Sequence, residues 1–325
     1  MSTKPRIAII GLGRTGASLG LALKKANPEL EIIGHDKDSK AAQAAQKSGA
    51  VDRTNWNLIN ACDGAALVVL AMPPAGVKEA IDALKTELAP GAVVTDTSAS
   101  KVAVLKWAES LPPEISFVGG HPIIPPSAEL QQDASGADLP DAALFRGAVY
   151  CLVPSATASQ QAVELMTSFV SLLGAKPLFL DAYELDGLIA GAEHLPYLLA
   201  AALLRSTTAS SGWRDMGHVA GRRYLEATAL AARDAEGQRE LLLHHREDLT
   251  RWIDVVIETL KDIRGALQRG DAEHLDSLLG EMIDARAAWL QGQSGMESEI
   301  DPSEYKPTLS HMLLGGLANR ERKRK

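Results

Sequence analysis

Eleven residues, "IAIIGLGRTGA", place Gly11, Gly13 and Gly16 in a G-x-G-x-x-G pattern directly after an apolar run and at the head of an Ala/Leu-rich segment. Few short patterns restrict a fold so tightly. The first glycine of such a turn permits a sharp strand-to-helix reversal. The second lets the backbone approach a pyrophosphate, and the third lets the helix pack closely on the strand. The helix N-terminus then faces the anion, with Arg14 and Thr15 in its first turn. A generic glycine-rich turn would show the same letters, so the surroundings must decide. Asp36, which ends the next apolar run "EIIGHD", follows Gly13 by roughly 20 residues, the offset at which a carboxylate meets the adenosine ribose diol. NAD is therefore favoured. NADP stays open because Arg14 and Lys37 are close in sequence, and FAD is the less expected use of the same turn.

Further short apolar runs follow at "AALVVLAMP", "AVVTDTS", "ISFVGGHP" and "AVYCLVPS". Separated by helix-like segments, they predict a parallel sheet covered on both faces. Ile124 to Gly147 is too polar and broken for a regular element and is expected to be a loop near the site. From about Asp181 the period becomes helical, and "YELDGLIAGAEHLPYLLAAALLRSTT" is apolar nearly all round, as in a helix buried in a bundle or between subunits. The expected fold is α/β: a Rossmann-type dinucleotide-binding domain over 1–180, an all-helical dimerisation and substrate domain over 181–292, and a tail over 293–325.

Composition narrows the functional classes. With 46% hydrophobic and 23% charged residues and a net charge of −8, the chain is of ordinary globular type, without the clustered positive field that nucleic acid requires. Five basic residues in "NRERKRK" are read as a solvated tail. Cys62 and Cys151 lack paired or metal-like spacing, so no metal site is expected and a reducing cytoplasm fits. No targeting segment and no apolar run of membrane-spanning length is read from the sequence, so no membrane partner is expected.

In a doubly wound sheet, chemistry sits just past the carboxyl ends of the strands. Met72 and Pro73, Asp96 and Ser98 of "TDTSASK", and His121 of "VGGHPIIPP" occupy such places. The glycines and prolines around His121 suggest a turn in which neither helix nor strand continues. In the second domain His194 precedes Leu195-Pro196, and that proline should kink or restart its helix.

The order of the glycine turn, Asp96, "GGHP", "LFRGAVYCLVP", "YELDGLIAGAEHLPYLLAAAL", "GWRDMGHVA" and "LDSLLGEMIDARAAW" resembles the prephenate and arogenate dehydrogenase family over roughly residues 6–292. That resemblance implies a helical domain like that of 6-phosphogluconate dehydrogenase and a homodimer joined through it. It also implies oxidative decarboxylation of a cyclohexadienol such as prephenate, on the route to tyrosine. Hydride passes to NAD, or to NADP, while a base takes the hydroxyl proton and carbon dioxide departs. His121 stands at the position of the family's catalytic histidine, with His194 as a second catalytic candidate.

Three positions depart from the family pattern. Asp-x-x-Ser-x-Lys becomes Asp96, Ala99, Lys101; His-Leu-Pro-His becomes His194 to Tyr197; and the Thr-Arg pair whose arginine binds a substrate carboxylate becomes Gly217-His218. Imidazole cannot supply the guanidinium fork. Tyr197, Arg214, His218 and Arg222 are the candidates for the anionic substrate, the last three at i, i+4 and i+8 on one expected helical face. A related dehydrogenase acting on another small hydroxy acid and a non-catalytic nucleotide-binding homologue are the alternatives these changes leave.

Overall fold

The computed structural model describes residues 5–126, 128, 139–232 and 235–296. The chain divides after Leu185 into two compact units, a few residues past the boundary at 180 expected from the change to a helical period.

In the first unit the strands are β1 (Arg6–Ile10), β2 (Glu31–His35), β3 (Arg53–Thr54), β4 (Leu67–Leu70), β5 (Val93–Asp96), β6 (Ser116–Ile123), β7 (Val149–Pro154) and β8 (Lys176–Phe179). They form one sheet in the order β3-β2-β1-β4-β5-β6-β7-β8. The covering helices are α1 (Arg14–Ala26), α2 (Ser39–Lys47), α3 (Leu58–Cys62), α4 (Pro74–Leu84), α5 (Lys101–Ala108) and α6 (Gln160–Leu172). Alternation along the strands sorts the side chains. Ile7, Ile9, Leu67 and Val69 pack on one face with Leu19, Leu23 and Phe169, and Ala8, Ile10, Val68 and Leu70 pack on the other with Val77, Ile81 and Val104. Two cores on one sheet are what a period of two dictates when both faces are covered.

The order reverses between β1 and β4, so the switch point opens at Gly11 and Met72, where an open α/β sheet binds its ligand. Parallel pairing, as expected from the sequence, holds from β3 through β6. It fails at β7, which runs antiparallel to β6. The segment before β7 also departs from a purely polar loop: Leu144 and Phe145 are buried in the core. Asp141 donates its backbone N–H to Ser18 Oγ of α1 at 3.0 Å. Residues 127 and 129–138 of that expected loop lie outside the described residues, as does the basic tail.

A second correction concerns His121, which lies inside β6, in register with Cys151, and not in a turn. β6 accommodates the sequence because Pro122 and Pro154 fall in the same alternating set of pairs as Gly120. In an antiparallel ladder every second pair points its N–H groups away from the partner, and Gly120 N–H does so, reaching Asp96 Oδ1 at 3.2 Å. Proline therefore forfeits no ladder bond. Gly119 and Gly120 are required by close approach. A Cβ on Gly119 would lie 2.9 Å from Lys101 Cδ, and one on Gly120 would lie 2.7 Å from Asp96 O and 2.9 Å from Tyr150 Cε1.

The second unit is helical: α7 (Ala182–Ile189, entered from the first unit), a π turn over Ala190–His194, then α8 (Leu195–Thr208), α9 (Trp213–Val219), α10 (Arg222–Thr228), a 3-10 turn, α11 (Ala235–His244), α12 (Arg246–Arg269) and α13 (Ala272–Met296). Pro196 stands in the first turn of α8, directly after a π turn that carries the helical path into it. The wider π turn before it ends at His194, and such turns are frequent at functional sites.

Two further expectations change here. The stretch Ala182–Thr208 is, by length and composition, long and apolar enough to cross a membrane, whereas the sequence reading expected no run of that length. Arg214, His218 and Arg222 do not share one helix. α9 ends at Val219, Ala220 turns extended with ψ 93, and Arg222 begins α10.

Candidate functional site

The glycine turn is built as its residue types require. Gly11 has φ +92 and donates its N–H to His35 O at 2.8 Å, a conformation that side chains rarely adopt. Gly13 is the N-cap of α1, and no side chain caps the helix there. The first amides of a 13-residue helix are thus left to an outside acceptor. A Cβ built on Gly13 meets nothing within 4 Å. Open space over uncapped amides fits a pyrophosphate. Arg14 and Thr15 open the helix, and Gly16 is buried against the strand side.

Asp36 follows β2 and organises this turn. Its Oδ2 accepts from Leu12 N at 2.6 Å and its Oδ1 from Asp38 N at 2.8 Å. A carboxylate offers about four lone-pair sites, so two remain for a diol. Lys37 next to it is engaged: its Nζ lies 2.6 Å from Glu79 Oε2. The Lys37 hydrogen bond and charge hold the Glu79 carboxyl below its usual range. The cation that would favour a ribose 2′-phosphate is answered by a second carboxylate. Met72 and Pro73 follow β4, with Pro73 at the N-cap of α4.

Past β5 the chain is internally bonded. Asp96 is fully buried, and its Oδ2 accepts from Ser98 N at 3.0 Å, Ser98 Oγ at 2.5 Å and Lys101 Nζ at 2.5 Å. Asp96 and Ser98, both read from the sequence as coenzyme residues, use these side-chain bonds to shape the loop. Ala99 is buried, as is Ser100, whose hydroxyl has no hydrogen-bond partner among the described residues. His121 Nδ1 lies 3.1 Å from Thr97 O, and the residue is only 8% exposed. A carbonyl can only accept, so the proton in this contact is on Nδ1, and in the neutral ring the basic nitrogen is then Nε2.

Tyr150, below this loop, was not singled out from the sequence. Burial, and secondarily the Asp96 and Cys151 charges, push its phenol far above the usual range, so it stays neutral. Lys101 entered the sequence reading only as the end of the family pattern that begins at Asp96, and Thr97 only as one of the polar residues past the strand. The signal for Lys101 was its spacing of five from Asp96; nothing local marks a backbone carbonyl. Cys62 and Cys151 are free and buried, and burial alone pushes the Cys62 thiol up to about 12. Among the described residues no group of His, Cys, Asp and Glu is placed to hold a metal ion.

In the helical unit His194 is buried, its ring 4.7 Å from that of His245 between centroids. Burial lowers the His245 pKa. His244 acts in the same sense, while Asp186 and Asp248 oppose it. Neither His245 ring nitrogen makes a well-directed hydrogen bond, although the Asp186 backbone lies near enough to favour the charged form. Burial is the larger effect, so the His245 pKa lies below its usual value. Because the folded pKa lies below the unfolded value of about 6.5, the stability from keeping this ring neutral is complete above that pH and declines as pH falls through it. The thermal midpoint of the protein should therefore fall between pH 7 and 5 more steeply than that of His245→Phe; equal slopes would remove the assignment.

Tyr197 is half-buried in the first turn of α8. Arg214 and His218 are exposed one turn apart on α9, while Arg222 is exposed on α10 and pairs with Glu226 at 2.6 Å. Tyr224 OH, 2.6 Å from Thr207 Oγ1, and its ring, 5.8 Å from that of Trp213, tie α8, α9 and α10 together.

A glycine turn at the switch point of a doubly wound sheet, a ribose-type carboxylate after β2, a strand-held imidazole and a separate helical unit define a dinucleotide-binding oxidoreductase. The family model described as "Prephenate dehydrogenase, nucleotide-binding domain" matches residues 19–178, and "Prephenate dehydrogenase, dimerization domain" matches 181–281. The chain belongs to the prephenate dehydrogenase family.

The prephenate dehydrogenase of Bacillus subtilis is 30% identical over 279 residues, covering 84% of this chain and 72% of that protein. The cyclohexadienyl dehydrogenase of Zymomonas mobilis is 26% identical, covering 89% of this chain and 97% of its own. Among solved structures, prephenate dehydrogenase from A. aeolicus, in complex with hydroxyphenyl propionate and NAD+, superposes with a TM-score of 0.78 at 21% identity over 88% of this chain and 98% of that one. The glycine turn lies upstream of the first matched span and is this chain's own evidence for the coenzyme.

Proposed function

We propose that this chain oxidises and decarboxylates prephenate with NAD, with His121 as the general base. The observation that carries the reading is the His121 ring, anchored through Nδ1 on Thr97 O so that Nε2 is the basic nitrogen. The coenzyme, when bound, accepts hydride from the ring carbon that bears the hydroxyl. His121 Nε2 takes the hydroxyl proton, and as the ring carboxylate leaves as carbon dioxide its bonding pair enters the ring, which becomes a phenol after taking up a proton. Aromatisation supplies the drive, so the protein contributes a base near neutral pH, a cation for the carboxylates and orientation.

Gly11, Gly13, Arg14, Thr15 and Gly16 cradle the pyrophosphate, Asp36 takes the ribose diol, and Met72 and Pro73 border the dinucleotide. NAD is preferred to NADP because Asp36 repels a 2′-phosphate and Glu79 occupies Lys37. Arg214 is the cation we assign to the substrate carboxylates, with His218 beside it and Tyr197 as a hydrogen-bond donor. Arg222, on another helix and paired to Glu226, is not needed. His194 supports the helical unit through its contact with His245. The cytosol, where both thiols stay reduced, is the compartment we assign.

The test is purified protein with prephenate or arogenate and NAD or NADP, followed by reduced coenzyme absorbance. Prephenate with NAD should give the highest kcat/KM. No reduced coenzyme above a His121→Ala control would end the catalytic reading, and activity that appears only after His218→Arg would reject prephenate as the substrate.

The helical domain is assigned to a homodimer. Leu188, Leu199 and Leu203 are 55%, 43% and 39% exposed in the single chain, on a helix too apolar to face water. A second copy covering that face accounts for it without a membrane. Light scattering should give the mass of two chains, and Leu199→Glu with Leu203→Glu should give one. A wild-type monomer at micromolar concentration would contradict the assignment.

A further inference from the structure

We propose that Lys101 is a positioning residue for His121: through the Asp96 carboxylate it fixes the Thr97 carbonyl that selects the imidazole tautomer. The proposal deepens the reading of His121 as base and rests on it for its effect on turnover, though not for its effect on the ring.

Lys101 begins α5, yet its side chain is fully buried, as is that of Asp96. A buried ammonium is tolerated only against an opposite charge with its hydrogen bonds satisfied. Its Nζ meets Asp96 Oδ2 at 2.5 Å and Ser98 Oγ at 3.3 Å. The stem reaches this place by passing Gly119, where a Cβ would lie 2.9 Å from Lys101 Cδ. A buried ion pair contributes little net stability beside an apolar pair of the same shape. What this pair supplies is geometry.

One carboxylate gathers three segments. Oδ2 holds the start of α5 through Lys101 and the loop through Ser98, and Oδ1 holds the middle of β6 through Gly120 N. Thr97 lies between two residues so gripped, and its own N–H is spent on Leu70 O at 3.1 Å. Its peptide plane is therefore set from both sides, and its carbonyl points to His121 Nδ1 at 3.1 Å. On β6, Gly120 is clamped to the same carboxylate immediately before His121. The accepting carbonyl and the donating ring nitrogen are thus held to one another by a single charge pair. Loss of the ammonium leaves an isolated buried carboxylate, which must recruit water or a proton, and the loop that carries Thr97 moves with it.

The experiment reads the ring directly. In the full-length protein with ¹⁵N-labelled histidine, at a pH well above 6.5 and with His121→Gln to assign the signal, the imidazole ¹⁵N shifts report which nitrogen bears the proton. The wild type should be protonated at Nδ1. Lys101→Met should give a mixed or Nε2-protonated ring and lower kcat by about 10- to 100-fold, part of the about 10²- to 10⁴-fold that a positioned general base contributes. KM for NAD should stay within about twofold. The neutral pair Asp96→Asn with Lys101→Met, which keeps an acceptor for Gly120 N without an unpaired charge, should restore the Nδ1 tautomer and most of kcat.

Should Lys101→Met fail to fold, Ser98→Ala is read in its place and should move both observables less in the same direction. An Nδ1-protonated ring and unchanged kcat in a folded Lys101→Met or Ser98→Ala variant overturn the proposal, as does a wild-type ring protonated at Nε2. A tautomer that shifts as stated in a protein inactive on prephenate supports the positioning role and removes only the assigned reaction.

Discussion

His121→Gln lowers kcat for coenzyme reduction by about 10²- to 10⁴-fold, the span a positioned general base contributes, while the dissociation constant for NAD changes by less than about twofold. Glutamine is chosen because its amide can still donate to Thr97 O, where His121 Nδ1 lies at 3.1 Å, and so preserves the anchor while removing the basic nitrogen. The coenzyme turn is built from β1, β2 and α1, none of which touches this ring through any bond described above. Titration calorimetry with NAD and steady-state rates with prephenate check the two halves of the expectation. A glutamine variant with kcat within threefold of wild type would show that water or another group takes the proton. A variant that loses NAD affinity and turnover together would show that the substitution had damaged the domain. Adding imidazole to His121→Gly separates these further, since the small base should restore part of the rate only if proton transfer was what was lost.

Much of the first unit is legible because its information is local. The strand β1, the turn at Gly11 and the head of α1 lie within a dozen residues, and alternating burial of Ile7, Ala8, Ile9 and Ile10 follows from the period of a strand. His121 was misplaced in a turn for the opposite reason. Gly-Gly-His-Pro breaks strand propensity locally, but Gly119 and Gly120 answer to Lys101, Tyr150 and Asp96, and Pro122 is harmless only because of its register with Tyr150 in β7. Those partners are far away in sequence. Tertiary context overrides propensity at such places.

The face shared by Arg214, His218 and Arg222 failed differently. The spacing was right for a helix, but Gly221 next to Arg222 was a readable break that the count passed over. Ala182–Thr208 differs from the expectation that no apolar run has span length, because helical continuity and not an unbroken apolar run sets the length. In the structure a π turn carries Glu193 and His194 within a continuous helical path. Lys101 could be paired with Asp96 by spacing, but its burial depends on β6 lying over it, which no window of sequence contains.

The glycine turn gives the sharpest contrast between two substitutions three residues apart. Gly13→Val should leave the fold nearly intact and abolish useful NAD binding. Gly16→Ala, a far smaller change, should damage the fold itself. Gly13 has φ −64, open to any residue, and its built Cβ meets nothing within 4 Å. The cost to stability is the modest one of a poorer N-cap, about 1 kcal/mol. The empty volume is nevertheless where the pyrophosphate must approach the α1 amides, and two methyl groups there should weaken NAD by at least 100-fold, about 2.7 kcal/mol.

At Gly16 a Cβ would stand 1.9 Å from Gly11 O and 3.2 Å from Ala71 Cβ. The first neighbour is backbone in a turn that Gly11 holds at φ +92 and bonds to His35 O. It cannot swing aside as a flexible side chain would, so α1 must lift from β1 and Leu19 and Leu23 leave the core with it. Overpacking of this kind costs roughly 1–3 kcal/mol or more. Denaturant midpoints and NAD titrations on both variants separate the cases: the valine should change only the titration, the alanine both. An unchanged NAD affinity in Gly13→Val would mean that the dinucleotide does not cross this turn, and the assignment of the coenzyme site would fall with it.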